Sequence, residues 1–327
     1  MKKDILKERI IYKPFEYQEA ADYWLKQQQA HWIHTEVPMM SDVNDWKQNL
    51  NETEKNIIGS ILKGFAQTET VVNDYWTGLV TKWFRKPEII AMATTFGAME
   101  TIHAEAYSLL NEELGLDDFS EFLEDETTMA KIETLMDVRD SFDGEVDWHE
   151  RAKSLAIFSA FTEGVNLFSS FAVLLSFKMR NKLKGVGQIV EWSIRDESMH
   201  SEAGCWLFRT LLKENSHLKT PELEAAINEA ALLSLQLELD FIEKVYELGD
   251  LEGCSKYNLI NFIKNRVNTK LGDLGYNPII LDVDMKAVNE MKWFDALSAG
   301  KQHTDFFANR VTNYSKGHLE WDTATMF

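Results

Sequence analysis

The sequence predicts an all-α fold, a bundle of long helices, on three observations. Only 5 prolines and 16 glycines interrupt 327 residues, sparse punctuation that favours long helices. Apolar residues recur at steps of three and four along several stretches, the period of a buried helical face. No stretch alternates apolar and polar residues strongly enough to read as a strand. A hydrophobic fraction of 45% is ample for a large core, and no internal repeat or low-complexity tract divides the chain.

The first 45 residues are aromatic-rich and irregular, with a short helix expected at Tyr17 to Gln29. Asn51, with Glu54 three places on, has the form of a capping box and opens a helix to about Phe84. Its stripe is Ile58, Ile61, Phe65, Val72 and Trp76, and Glu69 falls on it. Pro87 suits a first helical turn, and Gly115 suits a terminator. Between them Ile89, Ala93, Phe96 and Leu110 share a face with Glu100, His103 and Tyr107. Residues 112–150 carry 15 acids against Lys131 and Arg139, and read as a solvated excursion with shorter helices.

Ser154 to Phe177 reads as one helix apolar on all sides, with Glu163 and Asn166 at its middle. It is long enough to span a membrane, but those polar residues and the lack of a second span favour the core of a bundle. Gly185 and Gly187 punctuate, and a helix follows from about Ile189 to Leu212. Its stripe passes Val190, Ser193, Glu197, His200, Gly204 and Leu207. Pro221 starts a helix to about Leu248, and Tyr257 to Lys270 is another. Residues 1–315 are expected to form a single helical domain, and 316–327 a polar tail ending EWDTATMF.

The net charge of −19 and the lack of a basic stripe argue against nucleic acid. The charged start MKKDILKERI has no secretory core, and Cys205 and Cys254 form no disulfide framework or zinc spacing. A reducing cytoplasm is the expected location.

Four helices therefore place acids on apolar faces, Glu69, Glu100, Glu163 and Glu197, and two add a histidine at i+3, His103 and His200. An ionised carboxylate buried without a partner costs several kcal/mol. Four of them converging in one core need cations. The i+3 spacing stacks Glu over His on one helix face, so both reach one site. Carboxylate and imidazole together suit iron or manganese. About one Glu-x-x-His is expected by chance in so acidic a chain. Glu214 to His217, in the polar KENSHLK, is set aside as a helix end. The bland reading of the others is a set of satisfied core polar groups.

The order Glu, Glu-x-x-His, Glu, Glu-x-x-His is that of ferritin-like di-metal carboxylate bundles. From about Tyr12 to its end, the chain resembles the small, radical-generating subunit of class I ribonucleotide reductase. The resemblance rests on FAQTET, METIHAEAY, FTEGVN and IRDESMH. It implies a ferritin-like bundle and makes Glu69, Glu100, His103, Glu163, Glu197 and His200 the ligands of two metal ions per chain. Tyr107 falls where the family keeps its radical tyrosine. Trp32, in AHWIHTEV, and Asp196 match its radical-transfer tryptophan and the acid between that tryptophan and a histidine ligand. By spacing alone, Trp32 reads equally as a core aromatic, and Asp196 as a residue on the next helix face.

The same resemblance implies docking of the C-terminal tail on the large (alpha) subunit, with Tyr314 as transfer tyrosine and Trp321 and Phe327 as anchors. From composition alone, that tail reads equally as disordered. A homodimer and an activating flavoprotein are also implied, with no membrane contact. The implied reaction is reduction of ribonucleotides to the deoxyribonucleotides of DNA replication, with substrate bound by the partner. Leu167 and Phe171 are expected in an apolar shell around the centre. Glu69 stands where many di-iron members carry aspartate, and glutamate there resembles the manganese-using and mixed-metal branches more closely. Tyr107 is a residue that mixed manganese–iron members typically replace. Fe and Mn, as di-iron, mixed Mn/Fe or di-manganese, therefore stay open. The alternatives are an iron-storage protein, a ferritin-like di-metal oxidase or desaturase, and a non-enzymatic helical scaffold.

Overall fold

The computed structural model describes residues 3–116, 129, 130, 133, 134, 136, 146–247 and 249–298, and every regular element among them is helical. Helix α1 is Gln18–Gln29 and α2 is Met40–Asn44. Helix α3 is Glu52–Asp74; it continues through a π-helical turn, Tyr75–Val80, into α4, Thr81–Trp83. The capping box forms: Asn51 Oδ1 accepts from Glu54 N at 2.9 Å, and Glu54 Oε2 from Asn51 N at 3.1 Å. Helix α5, Pro87–Leu114, has proline in its first turn and ends on Gly115 at φ 71°, the left-handed cap that glycine takes without strain.

Helix α6, Trp148–Ile157, leads into a π-helical turn, Phe158–Thr162, and an irregular turn at 163–167; α7, Phe168–Met179, follows. The single helix expected over 154–177 is therefore two, broken at Glu163. Helix α8 is Lys184–Glu214, α9 Pro221–Glu247 and α10 Lys256–Leu274; α11, Met285–Glu290, and α12, Lys292–Ser298, are short.

Gly185 and Gly187 lie inside α8 and do not punctuate. A Cβ on Gly185 would come within 2.8 Å of Met39 Sδ, so glycine there permits close approach. That approach caps α8, because Asp42 accepts from the backbone N–H of Gly185 and Val186 at 3.0 and 2.8 Å. Most of the acidic excursion, Tyr314, and the tail with Trp321 and Phe327 lie outside the described residues.

Helix α3 packs along α5, and α8 packs along α6, the 158–162 turn and α7; α5 and α8 join the two pairs. Helix α1 crosses α5 and α8, and α9 and α10 cover the broken segment from the other side. The shared core includes Ile61, Phe65, Trp76, Phe96, Phe161 and Phe171, all buried. Among the described residues no helix is long and apolar enough to cross a membrane.

Candidate metal centre

The stripes of α3, α5 and α8 and the break between α6 and α7 meet inside the bundle. Glu69, Glu100, His103 and Glu197 form one group whose ligand atoms lie within 4.8 Å of one another. Glu100, Glu163, Glu197 and His200 form a second group within the same limit. Glu100 and Glu197 belong to both. All six residues are buried. His103 Nδ1 lies 3.0 Å from Glu100 Oε2 and 3.0 Å from Glu197 Oε1, and His200 Nδ1 lies 2.7 Å from Glu100 Oε1.

Unpaired polar atoms provide the test of fit. Both oxygens of Glu69 and Glu163 Oε2 are buried without a hydrogen-bond partner, and Glu100 Oε1, Glu197 Oε1 and His200 Nδ1 make no hydrogen bond beyond their ion-pair contacts. Each such atom costs about 1–3 kcal/mol, more when charged, unless something else binds it. Among the described residues no lysine or arginine pairs with the four acids; their ionic partners are the two histidines. Four carboxylates match the charge of two divalent cations. The cluster can hold metal.

Titration behaviour shows the same tension. Burial and the Glu100 charge raise Glu69 well above its ordinary value, and burial with Glu197 does the same to Glu163. Burial and Glu100 push Glu197 up to about 8. Burial would raise Glu100 too, but His200 and His103 pull it down to about 2. Burial would lower both histidines, but the Glu100 charge together with hydrogen bonds to the surrounding carboxylates raises them. Glu100 is thus the acid that stays ionised, and its neighbours hold protons until a cation displaces them.

Outer hydrogen bonds orient both rings. His103 Nε2 lies 3.3 Å from Asp196 Oδ2, which also accepts the indole N–H of Trp32 at 2.8 Å. Trp32 stacks on His103 with ring centroids 5.7 Å apart. Asp196 and Glu197 are neighbours on α8, yet both point inward because α8 is enclosed there. Arg195 Nε donates to Asp196 Oδ1 at 3.2 Å. His200 Nε2 donates to Gln27 Oε1 of α1 at 3.0 Å. Gln27 gave no signal, since one buried glutamine in a run of three looks like any surface glutamine.

Tyr107 is fully buried, its ring 4.8 Å from Phe65 and its hydroxyl unpartnered. Burial and the Glu69 charge raise its pKa well above the ordinary value. Phe96 stacks on His200 at 4.1 Å. Phe171 packs on Phe65 at 5.2 Å, and Leu167 is buried as well. The structure thus gathers the six expected ligands, Trp32, Asp196 and Tyr107 into one region.

The break carrying Glu163 is held from outside. Ser201 donates to the Ser159 carbonyl at 2.6 Å, and Arg266 Nε donates to the Gly164 carbonyl. Glu238 accepts from both the N–H and the hydroxyl of Ser169 in the first turn of α7. These contacts satisfy backbone groups that a continuous helix would pair itself. π-Helical turns of this kind recur at functional sites.

Comparison with known proteins accords with this geometry. The model of the family described as "Ribonucleotide reductase, small chain" matches residues 9–283. The probable ribonucleoside-diphosphate reductase small subunit 048L of Invertebrate iridescent virus 3 is 35% identical, over 97% of this chain and 87% of its own. The ribonucleoside-diphosphate reductase subunit beta of Chlamydia pneumoniae is 26% identical, over 94% and 91%. Among solved structures, a putative class I ribonucleotide reductase from Bacillus halodurans superposes with TM-score 0.79 at 21% identity, covering 86% of this chain and 99% of that one. The dimanganese(II)-NrdF of Streptococcus sanguinis gives 0.69 at 22%, covering 87% and 99%.

Proposed function

The chain belongs to the ribonucleotide reductase small-chain family, and we propose that its six buried ligands hold two metal ions whose oxidising equivalent leaves through His103, Asp196 and Trp32. It is the small subunit of a ribonucleoside-diphosphate reductase, an oxidoreductase that works with a large subunit. The iron-storage and oxidase alternatives are not favoured. The observation that carries the reading is the pair of overlapping ligand groups sharing Glu100 and Glu197.

Glu69 and His103 would hold one ion, Glu163 and His200 the other, with Glu100 and Glu197 between them. When bound, redox-active iron or manganese supplies a one-electron oxidant made from an oxygen species. The chain's own residues bind, insulate and connect. Phe65, Phe96, Leu167 and Phe171 exclude water. Asp196 fixes the His103 tautomer and accepts the Trp32 indole proton, so an electron leaving Trp32 inward has a proton acceptor at 2.8 Å. Tyr107 is our candidate for oxidation instead, and burial with the Glu69 charge favours its neutral phenol. Manganese is the metal we favour on Glu69, with iron and the mixed pair as the other outcomes.

Metal analysis with electron paramagnetic resonance, after exposure to dioxygen or superoxide, tests this directly. Two ions per chain are expected. A well-folded protein that never takes up iron or manganese would end the reading, and the spectrum separates a tyrosyl radical from a metal-centred oxidant. Activation by dioxygen alone would remove the need for a flavoprotein.

The domain over 1–315 and the tail over 316–327 complete the proposal, with Tyr314 handing the equivalent to the large subunit. Nucleotide reduction with that subunit should be abolished in Tyr314→Phe, and full turnover would take Tyr314 off the route. The homodimer rests on the family resemblance, and sedimentation reads it.

A further inference from the structure

The two outer carboxylates of the centre are not treated alike. Both oxygens of Glu69 are buried without a hydrogen-bond partner, whereas Glu163 has only Oε2 in that state. Its Oε1 accepts the indole N–H of Trp76 at 2.5 Å. Trp76 lies in the π-helical turn that extends α3, wholly buried. Seven residues separate it from Glu69, two helical turns, which keeps both on one face.

The ring is held in place edge-on against Phe96 at 5.1 Å, Phe158 at 5.5 Å and His200 at 6.2 Å. An indole N–H can only donate. Once a cation has displaced the Glu163 proton, this short bond to an ionised carboxylate is of the strong, charge-assisted kind. The oxygen that receives it has a lone pair and part of its charge withdrawn from any other partner.

We propose that Trp76 is a positioning residue that makes the two metal sites unequal: it occupies Glu163 Oε1, leaves Oε2 alone to bind, and so makes the His200 site the weaker one, filled second. This rests on the two-metal reading above and goes beyond it, because nothing in the ligand set itself ranks the sites. The opposing account is that the bond merely satisfies a buried indole N–H. On that account, freeing Oε1 leaves metal uptake as it was.

Manganese(II) titration of the full chain, followed by electron paramagnetic resonance, separates the two accounts. In the wild type the first equivalent should give isolated Mn(II), and only the second an exchange-coupled pair. In Trp76→Phe the second step should tighten on the order of tenfold or more, the worth of one hydrogen bond to a charged group. Coupled pairs then appear already at one equivalent. The N–H-free isostere 3-benzothienylalanine at position 76 keeps the indole shape and should behave in the same way, even where phenylalanine disturbs folding. Trp83→Phe, the same truncation in α4, should keep the wild-type titration.

Unchanged steps, or loss of the second ion, in both position-76 variants would overturn the proposal. Failure of the wild type to take up two ions would overturn the two-metal reading and this inference with it.

Discussion

Helix α5 and the segment 158–167 each deliver carboxylate to the same centre, one from 28 unbroken helical residues and the other from a π-helical turn and a bend. In α5 the i+3 spacing alone sets Glu100 against His103. Glu163 has no histidine on its own element. Its backbone is held by Ser201, Arg266 and Glu238, from α8, α10 and α9. A paired motif thus carries its own geometry, while a lone ligand at a break borrows geometry from its surroundings. The break should then be the more fragile side, and three measurements test that contrast.

The largest effect is expected at Gly164. A Cβ there would lie 2.2 Å from the Ala160 carbonyl oxygen, and 2.7 Å from both Ser201 Oγ and Lys270 Cδ. A backbone atom cannot swing aside as a side-chain end can. Gly164→Ala should therefore cost about 2–4 kcal/mol and impair metal uptake. The matched change on a continuous helix is Gly59→Ala in α3, whose Cβ would meet only Leu116 at 3.4 Å. That substitution should be neutral or stabilise by up to about 1 kcal/mol through helix propensity. Paired denaturant melts read the difference, and equal costs at both glycines would dissolve the contrast.

Proton competition is the second test. Glu100 is held down at about 2 and needs no deprotonation near neutrality. Glu163 and Glu69 are raised well above their ordinary value, and Glu197 to about 8, so the outer acid of each site and the shared Glu197 must lose protons to bind cations. Mn(II) affinity should fall as pH drops below about 8, by up to about tenfold per unit for each proton displaced. The sign for folding is opposite. A raised carboxyl binds its proton more tightly when folded, so metal-free stability falls as pH rises from the ordinary 4.5 toward about 8 for Glu197. The gain in Tm on adding Mn(II) should accordingly widen between about pH 6 and about pH 8. A gain independent of pH would mean that these acids are ionised before metal arrives.

The contrast also explains what could be read from sequence. Helices α3 and α5 were legible by an apolar stripe and a capping or terminating signal, α8 by its stripe and α9 by the proline at its start. The break was not, because a run apolar on all sides shows no periodicity from which a π-helical turn could be told. Its supports are remote as well: Arg266 stands 102 residues from Gly164. Trp76 was legible as a core aromatic, but its hydrogen bond to Glu163 depends on how two helices pack. Ligands set by local spacing are visible in a sequence, and what holds or tunes them from other elements is not.

Arg266 offers the smallest and most selective test. Its guanidinium lies 3.1 Å from the centroid of Phe168 and reaches the Gly164 carbonyl from α10. The side chain keeps some exposure, so water can partly replace it in Arg266→Ala, and the loss of stability should be about 1–2 kcal/mol. Lysine keeps the charge but not the planar fork, so Arg266→Lys should recover little. If the clamp serves the break, this modest loss falls unevenly on the two metals: the ion at Glu163 and His200 weakens, while the ion at Glu69 and His103 holds. Stepwise Mn(II) titration would show the second step shift alone. Equal weakening of both steps would mean that α10 stabilises the bundle as a whole, and that the break needs no help of its own.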